Sequence, residues 1–284
     1  MDGKTFGRYR ILEEIGSGAL GTVYRAFDPL VEREVAIKTL HANLPGEVTR
    51  KVRERFLREA KSAGRLNHPN LVTVYDVDEQ GGEAYIAMEF LEGRSLQDIM
   101  RTEHLSLRAI ADLVGQIAAG LDHASEFNIV HRDVKPENIV VSASGRAKLT
   151  DFGVAYVPMS AITHAGATIG SPKYMSPEQV LGRPVDPRTD IFGLGAVLYE
   201  MLTGATPFER PGEPGVYGIM ARITGEPHRP AREVNPEIPE AFERILAKAL
   251  AKKPEDRYSR AGDMANDLRA FLAGDDRSAR TVEP

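Results

Sequence analysis

A glycine-rich string near the start of the chain has the spacing of a phosphate-binding segment. Residues 16–21 read Gly16-Ser17-Gly18-Ala19-Leu20-Gly21, a GxGxxG pattern shared by dinucleotide-binding turns, loops that cover nucleotide phosphates and ordinary hairpins. A dinucleotide-binding turn must open a helix, whereas residues 22–26 continue with the alternation of a β-strand. Glycines between antiparallel strands allow main-chain N–H groups to lie close to phosphates. The string therefore predicts a flap over a nucleotide.

Lys38 and Glu59 are predicted to meet in the interior. In the alternating strand 34–38, Lys38 shares one face with the small Ala36. Glu59 falls on the apolar stripe of a predicted helix, where an ion without a partner is costly. We therefore predict a Lys38–Glu59 ion pair that holds the ammonium toward phosphates. The alternatives are a solvated lysine at a strand edge and a pairing of Glu59 with Arg55, four residues earlier.

Two polar strings follow. Residues 131–138 read His-Arg-Asp-Val-Lys-Pro-Glu-Asn, and residues 151–153 read Asp-Phe-Gly after the next predicted strand. Polar groups that converge in a loop on a rigid scaffold commonly carry chemistry. With the glycine string and Lys38, in this order, they resemble the signature of the protein kinase superfamily. The resemblance covers residues 9–272. The loop with Lys135 followed by Pro136-Glu137-Asn138 resembles that of the Ser/Thr branch. The chain as a whole is similar to bacterial eukaryotic-like Ser/Thr kinases.

The resemblance implies a role for each polar group. Lys38 and Glu59 would support the phosphates, and Asp133 would orient a substrate hydroxyl and accept its proton. Lys135 would neutralise charge on the moving phosphoryl group. Asn138 and Asp151 would supply the hard oxygen ligands that Mg²⁺ prefers, with Mn²⁺ as an alternative ion.

The resemblance also implies an ATP site between the two lobes. Met88 would be the gatekeeper beside the adenine, and main-chain groups of Glu89 and Leu91 would bind the adenine edge. The full set of residues expected to contact ATP is Ile15, Gly16, Ser17, Gly18, Ala19, Leu20, Gly21, Val23, Ala36, Lys38, Met88, Glu89, Leu91 and Val140.

Other positions that match the family concern the substrate-binding loop. Ser171 would contact Asp133 and Lys135, and Glu178 would form a buried ion pair with Arg257. The family's Ala-Pro-Glu motif appears as Ser-Pro-Glu at residues 176–178, a change that keeps the proline and the acid. We expect no loss of activity from it.

Regulation by phosphorylation is a further implication. Arg132, next to Asp133, would bind a phosphate on the activation loop and so order that loop. Thr163 is the first candidate for phosphorylation and Thr168 the second, although a segment rich in Thr, Ser, Ala and Gly is also typical of a plain loop. Residues 154–156 read Val-Ala-Tyr where relatives often carry an arginine, which removes one cation from a phosphate pocket.

Periodicity predicts the elements that position these residues. Alternating strands at 9–40, 71–77 and 84–90 with an inserted helix at 47–66 predict a small antiparallel sheet. Helices dominate beyond, apart from strands at 138–141 and 147–150, and Asp190 is expected to cap an apolar helix. The pattern predicts an α+β chain with a small β-rich lobe and a larger, mostly helical lobe. The resemblance implies that this is the bilobal kinase fold, with a small lobe (9–88), a hinge (89–93), a large lobe (94–272) and a flexible tail (273–284).

Composition excludes several functional classes. The chain has 284 residues, 42% of them hydrophobic, which is enough for a large core. Its net charge is −5, and the sequence lacks the basic stripe of a nucleic-acid-binding protein. It has no cysteine, which excludes disulfides and thiolate metal sites. The N-terminus lacks a secretory signal and the apolar run 191–202 is too short for a membrane span. We expect a cytoplasmic protein without a membrane segment in this chain.

Three functions compete on this sequence. An active kinase would phosphorylate Ser or Thr of proteins, including its own activation loop, as part of signalling. A pseudokinase would lack a key lysine, aspartate or metal ligand, but all are present. A small-molecule kinase is disfavoured by Lys135, Ser171 and residues 176–178, which belong to a peptide-binding loop. A homodimer through the inserted helix or the back of the sheet is an option that no sequence feature decides.

Overall fold

The small lobe is an antiparallel sheet with one helix packed on it. The computed structural model describes residues 4–18, 21–40, 46–152, 172–210, 212 and 215–280. The six strands are joined in the order β1-β2-β3-β4-β6-β5. The elements are β1 (Thr5–Phe6), β2 (Tyr9–Gly18), β3 (Gly21–Asp28), β4 (Arg33–Thr39), helix α1 (Gly46–Ala63), β5 (Val74–Gln80) and β6 (Glu83–Glu89).

Alternation along β4 separates two apolar clusters, as predicted. Val35 and Ile37 are fully buried in a cluster with Tyr9 on one side of the sheet. Ala36 packs on the other side with Phe56 of α1. Because successive side chains of a strand point to opposite faces, Lys38 lies on the same side as Ala36, toward the helix.

The large lobe is built around one helix that is apolar on nearly all sides. This helix, α5 (Arg188–Thr203), buries most of its residues, as expected for the run 191–202. Gly193 allows it to approach the loop 131–138, since a Cβ there would lie 3.1 Å from the Val134 Cβ. The elements are β7 (Arg94–Ser95), α2 (Leu96–Thr102), α3 (Leu107–Glu126), β8 (Ile139–Val141), β9 (Ala147–Leu149), α4 (Pro177–Val180), α5 (Arg188–Thr203), α6 (Val216–Gly225), α7 (Ala231–Val234), α8 (Glu240–Ala249) and α9 (Ala261–Arg280).

The α+β, two-lobed fold is confirmed, but the folded unit begins before Tyr9. Phe6 on β1 is only 3% exposed and packs with Tyr9 and Tyr85. The strand predicted to begin at Leu71 instead begins at Val74. Leu71 forms a parallel bridge with Leu149 of β9, so the segment before β5 is bonded to the large lobe.

The sequence predicted a flexible tail after Leu272. This prediction is wrong for the residues up to Arg280, because α9 continues to Arg280. Extending an existing helix costs less than starting one. Within the described ranges, every helix is too short or too polar to span a bilayer.

Candidate active site

Asp133 is held by two side chains from its own loop. Lys135 Nζ lies 2.7 Å from Asp133 Oδ2, and Asn138 Nδ2 donates to the same oxygen and to the Asp133 carbonyl, both at 2.8 Å. Burial opposes the charge of Lys135, but the Asp133 carboxylate outweighs it and raises the pKa of the ammonium. Both Asp133 and Lys135 keep 30% of their side chains exposed. The loop thus presents an oriented carboxylate beside a cation.

The main chain of this loop is fixed from below by Asp190. One carboxylate oxygen accepts from His131 N and the other from Arg132 N, each at 2.7 Å, while Gln179 Nε2 donates to the Arg132 carbonyl at 2.8 Å. Arg132 has a φ of 68°, a left-handed conformation that costs energy in a non-glycine residue. These bonds stabilise it. Burial raises the pKa of Asp190 to about 7.

The sequence predicted that Asp190 caps helix α5, and this prediction is wrong. Pro187 occupies the cap position, and Asp190 lies within the first turn, where its carboxylate reaches the neighbouring loop. Sequence reasoning found an acid at the start of an apolar helix but not its partners. The signal that could have revealed the role is the cost of burying such an acid, which requires hydrogen bonds from another segment.

Asp151 follows β9 and pairs with Lys38. Their Nζ–Oδ1 distance is 2.7 Å. Burial would raise the pKa of Asp151, but the Lys38 ammonium outweighs burial and holds that pKa below its usual range. Asp151 has a φ of 61°, and the next residue, Phe152, is buried with its ring centroid 4.7 Å from that of His131. The packed Phe152 ring thereby supports the strained main chain of Asp151.

The predicted Lys38–Glu59 ion pair is wrong for this conformation. Glu59 Oε1 accepts from Arg132 Nη1 at 3.0 Å and from Arg55 Nε at 2.8 Å; the Arg55 contact is the alternative considered above. Lys38 is drawn to the nearer carboxylate of Asp151. Only 16% of the Glu59 side chain is exposed, and burial raises its pKa. The prediction that Glu59 lies on the buried face of α1 is confirmed, but its partners are Arg55 and Arg132.

Gly16, Gly18 and Gly21 lie at the end of the hairpin formed by β2 and β3, as predicted. Gly16 pairs with Val23 and Gly18 with Gly21, across β2 and β3. A side chain at Gly21 is excluded, because a Cβ there would lie 1.8 Å from the Thr39 carbonyl oxygen. Strand β3 of the hairpin therefore lies beside β4 in the same sheet, with Val23 opposite Lys38.

The apolar residues expected around adenine belong to both lobes. Val23 and Leu91 pack against the cluster that contains Ala36 and Met88. Val140 lies on β8 under the hinge, since a Cβ at Gly93 would lie 2.9 Å from its Cγ1. Ile15 is 47% exposed on β2. Ala19 and Leu20 lie outside the described residues, as do Gly153, Thr163, Thr168 and Ser171.

Comparison with known proteins agrees with this geometry. The family model described as the protein kinase domain matches residues 9–268. The chain belongs to the protein kinase family. This kinase domain is 40% identical to the Serine/threonine-protein kinase PrkC of Bacillus subtilis over 95% of the chain and 41% of that relative. It is 39% identical to PknE of Mycobacterium tuberculosis over 99% of the chain and 49% of that relative.

Solved structures give the same assignment. The crystal structure of the M. tuberculosis PknI kinase domain superposes with a TM-score of 0.77 at 28% identity, covering 96% of this chain and 99% of that one. This kinase domain spans less than half the length of the curated relatives named above. Kinase-domain membership implies the use of ATP and a divalent cation.

The residues present fit such a cation. The side-chain nitrogen of Asn138, Nδ2, donates to Asp133. The side-chain oxygen of Asn138 is therefore oriented away from that bond. The Asp151 carboxylate is kept ionised by Lys38. Amide and carboxylate oxygens are the donor types of a hard cation that also binds phosphates and water.

A buried ion pair between Glu178 and Arg257 supports the kinase domain below the site. Arg257 Nη1 and Nη2 donate to the two Glu178 oxygens at 2.7 and 2.8 Å, and Thr189 Oγ1 donates to Glu178 at 2.7 Å. The expected pair of Glu178 and Arg257 is therefore present. Ser176 begins helix α4 with a capping box, which fixes the segment that carries Glu178.

Proposed function

We propose that this chain is the catalytic domain of a protein Ser/Thr kinase that transfers the γ-phosphate of ATP to Ser and Thr hydroxyls of proteins. The observation that carries the proposal is the oriented Asp133 carboxylate, bonded to Lys135 and Asn138 in a loop anchored by Asp190. The same proposal includes protein substrates, a cytoplasmic location, a role in signalling and the formation of a homodimer.

The transfer follows from the positions of the loop side chains. Asp133 accepts a hydrogen bond from the substrate hydroxyl and orients its oxygen for in-line attack. As the new O–P bond forms and the bond to the β-phosphate oxygen breaks, the hydroxyl proton passes to Asp133 and ADP leaves. Lys135, 2.7 Å from Asp133, balances the negative charge of the phosphoryl group. Mg²⁺, or Mn²⁺, held by Asn138 and Asp151, would neutralise phosphate charge.

The Glu59–Arg132 contact supports a resting state of this kinase. Phosphotransfer in the family requires the strand lysine, here Lys38, to pair with the helix glutamate, here Glu59. In this structure Glu59 instead accepts a hydrogen bond from Arg132. A phosphate on Thr163 or Thr168 would compete for Arg132 and allow Glu59 to move to Lys38. Autophosphorylation in the activation loop is thus proposed as the activating step.

Incubation with ATP labelled in the γ-phosphate tests the proposal. We expect label on added protein and on the chain itself, confined to phosphoserine and phosphothreonine, with peptides containing Thr163 or Thr168 labelled. Omitting divalent cations should abolish the transfer. Label on phosphotyrosine, or transfer only to small molecules, would contradict the assignment.

A further inference from the structure

An ion pair between Lys148 and Glu89 joins the hinge to the large lobe behind the expected adenine site. Lys148 Nζ lies 2.7 Å from each carboxylate oxygen of Glu89. The same carboxylate accepts from Thr73 N at 3.2 Å, and Lys148 Nζ also lies 3.4 Å from the Leu71 carbonyl oxygen. The exposed fractions are 16% for Lys148 and 24% for Glu89. Neither charge is a solvated surface group.

The two residues belong to elements with different tasks. Glu89 is the last residue of β6 and the first of the hinge. Lys148 is the central residue of β9, three positions before Asp151. The segment next to them is bonded to β9 through Val72 N, which donates to the Leu149 carbonyl at 3.0 Å. Lys148 therefore ties the hinge to the strand that leads into the cation site.

The contacts fix the main chain of Glu89 as well as its side chain. Its N–H donates to the Thr73 carbonyl at 2.8 Å, while Thr73 N donates back to the Glu89 carboxylate. With the N–H bound to Thr73, the carbonyl is the main-chain group of Glu89 available to a base. An exposed ion pair contributes little because water screens it, but a partly buried carboxylate with three hydrogen bonds has one orientation.

We propose that Lys148 is a positioning residue for base recognition: by holding the Glu89 carboxylate, it fixes the hinge carbonyl that accepts from the exocyclic amine of adenine. The inference rests on the proposed function, since it concerns the ATP site. It distinguishes adenine from a base with an acceptor at that position, such as hypoxanthine. A hinge carbonyl held in place repels that acceptor, whereas a carbonyl free to turn repels it less.

Equilibrium binding of ATP and of inosine triphosphate to the purified chain tests this inference. For Lys148→Met we expect the Kd for ATP to rise about tenfold and the Kd for inosine triphosphate to change by less than about twofold, which reduces the preference for adenine. Glu89→Gln should have the same effect, and the double variant should add little to either single change. Lys148→Arg, which keeps the charge, should retain most of the preference. Lys253→Met, at an exposed lysine of the large lobe, is the matched control.

The possible results separate the explanations. Equal weakening of both nucleotides in Lys148→Met and Glu89→Gln, with a lower Tm, would overturn the inference and leave the pair a purely structural contact. A higher kcat with an unchanged Kd ratio would also overturn it, because the pair would then restrain lobe motion. If the wild-type chain binds neither nucleotide, the proposed function fails and the inference fails with it.

Discussion

Arg132 and Glu59 connect the two lobes through a 3.0 Å hydrogen bond between Nη1 and Oε1. One further polar atom of each residue, Arg132 Nε and Glu59 Oε2, is buried without a hydrogen-bond partner in the described part of the chain. A buried polar atom left unpaired costs free energy. The contact is therefore incompletely satisfied, which makes exchange to other partners favourable when a phosphate or ATP arrives.

The first prediction concerns this exchange. Glu59→Gln removes the carboxylate that Lys38 must acquire in the active state, so kcat should fall about 10- to 100-fold, equivalent to about 1.4–2.7 kcal/mol in the barrier. Stability should change little, because burial already disfavours the charged form of Glu59. Steady-state kinetics and urea unfolding measure the two effects. Glu54→Gln, at an exposed position of α1, should change neither, and full activity of Glu59→Gln would refute the exchange.

The second prediction is a pH dependence that arises from His131. Its ring Nε2 lies 2.7 Å from the Thr150 carbonyl oxygen, and its Nδ1 accepts from Asp133 N at 3.2 Å, which requires the neutral ring. Burial lowers the pKa of His131 to about 4, from 6.5. Since the unfolded chain binds the proton more tightly, this contribution to stability is present above pH 6.5 and is lost as the pH falls toward 4.

Unfolding free energies of wild type and His131→Gln, measured between pH 7 and pH 4, test this dependence. The advantage of the wild type should shrink as the pH falls, by up to about 3 kcal/mol. Substitution of exposed His104 in the same way controls for the loss of one titratable side chain. An advantage that stays constant over this range would show that His131 does not titrate as proposed.

The third prediction concerns the Glu178–Arg257 pair, whose side chains are 6% and 0% exposed. Arg257→Met leaves a buried carboxylate without its partner and should lower the free energy of unfolding by about 3–5 kcal/mol. Adding Glu178→Gln should restore at least about 1 kcal/mol, because the unpaired charge is then absent. Chemical denaturation measures both. Arg244→Met, which removes an exposed pair with Glu240 on α8, should have no measurable effect.

If Arg257→Met were as stable as the wild type, the pair would contribute nothing to the fold. If the double variant were less stable than Arg257→Met, the loss would come from packing and not from charge.

Local pattern was sufficient to predict most of the fold. The alternation of Val35 and Ile37 defined β4, and the apolar run 191–202 defined a buried helix, because each pattern reports burial directly. The helical tail was missed because Gly274 and the charged residues after it resemble a flexible end. The extra strand at Thr5–Phe6 was missed because two residues are too few to show the alternation of apolar and polar side chains that identifies a strand.

The candidate site was predictable in its residue types but not in its pairings. Lys38 and Glu59 were each assigned to the interior correctly. The choice of partner depends on Arg132, which is 73 positions from Glu59, and on the loop carrying Asp151. Sequence spacing contains no information on such distances, and the same limit hid the bonds from Asp190 to His131 and Arg132.

Phosphoryl transfer by Asp133→Asn tests the central claim most directly. The asparagine keeps the shape of the side chain but cannot take the hydroxyl proton, so transfer from labelled ATP to a protein substrate should fall about 10²- to 10⁴-fold while the Kd for ATP stays near the wild-type value. Lys38→Met should lose transfer as well, since the ammonium that supports the phosphates of ATP is then absent. Transfer by Asp133→Asn at the wild-type rate would contradict the account.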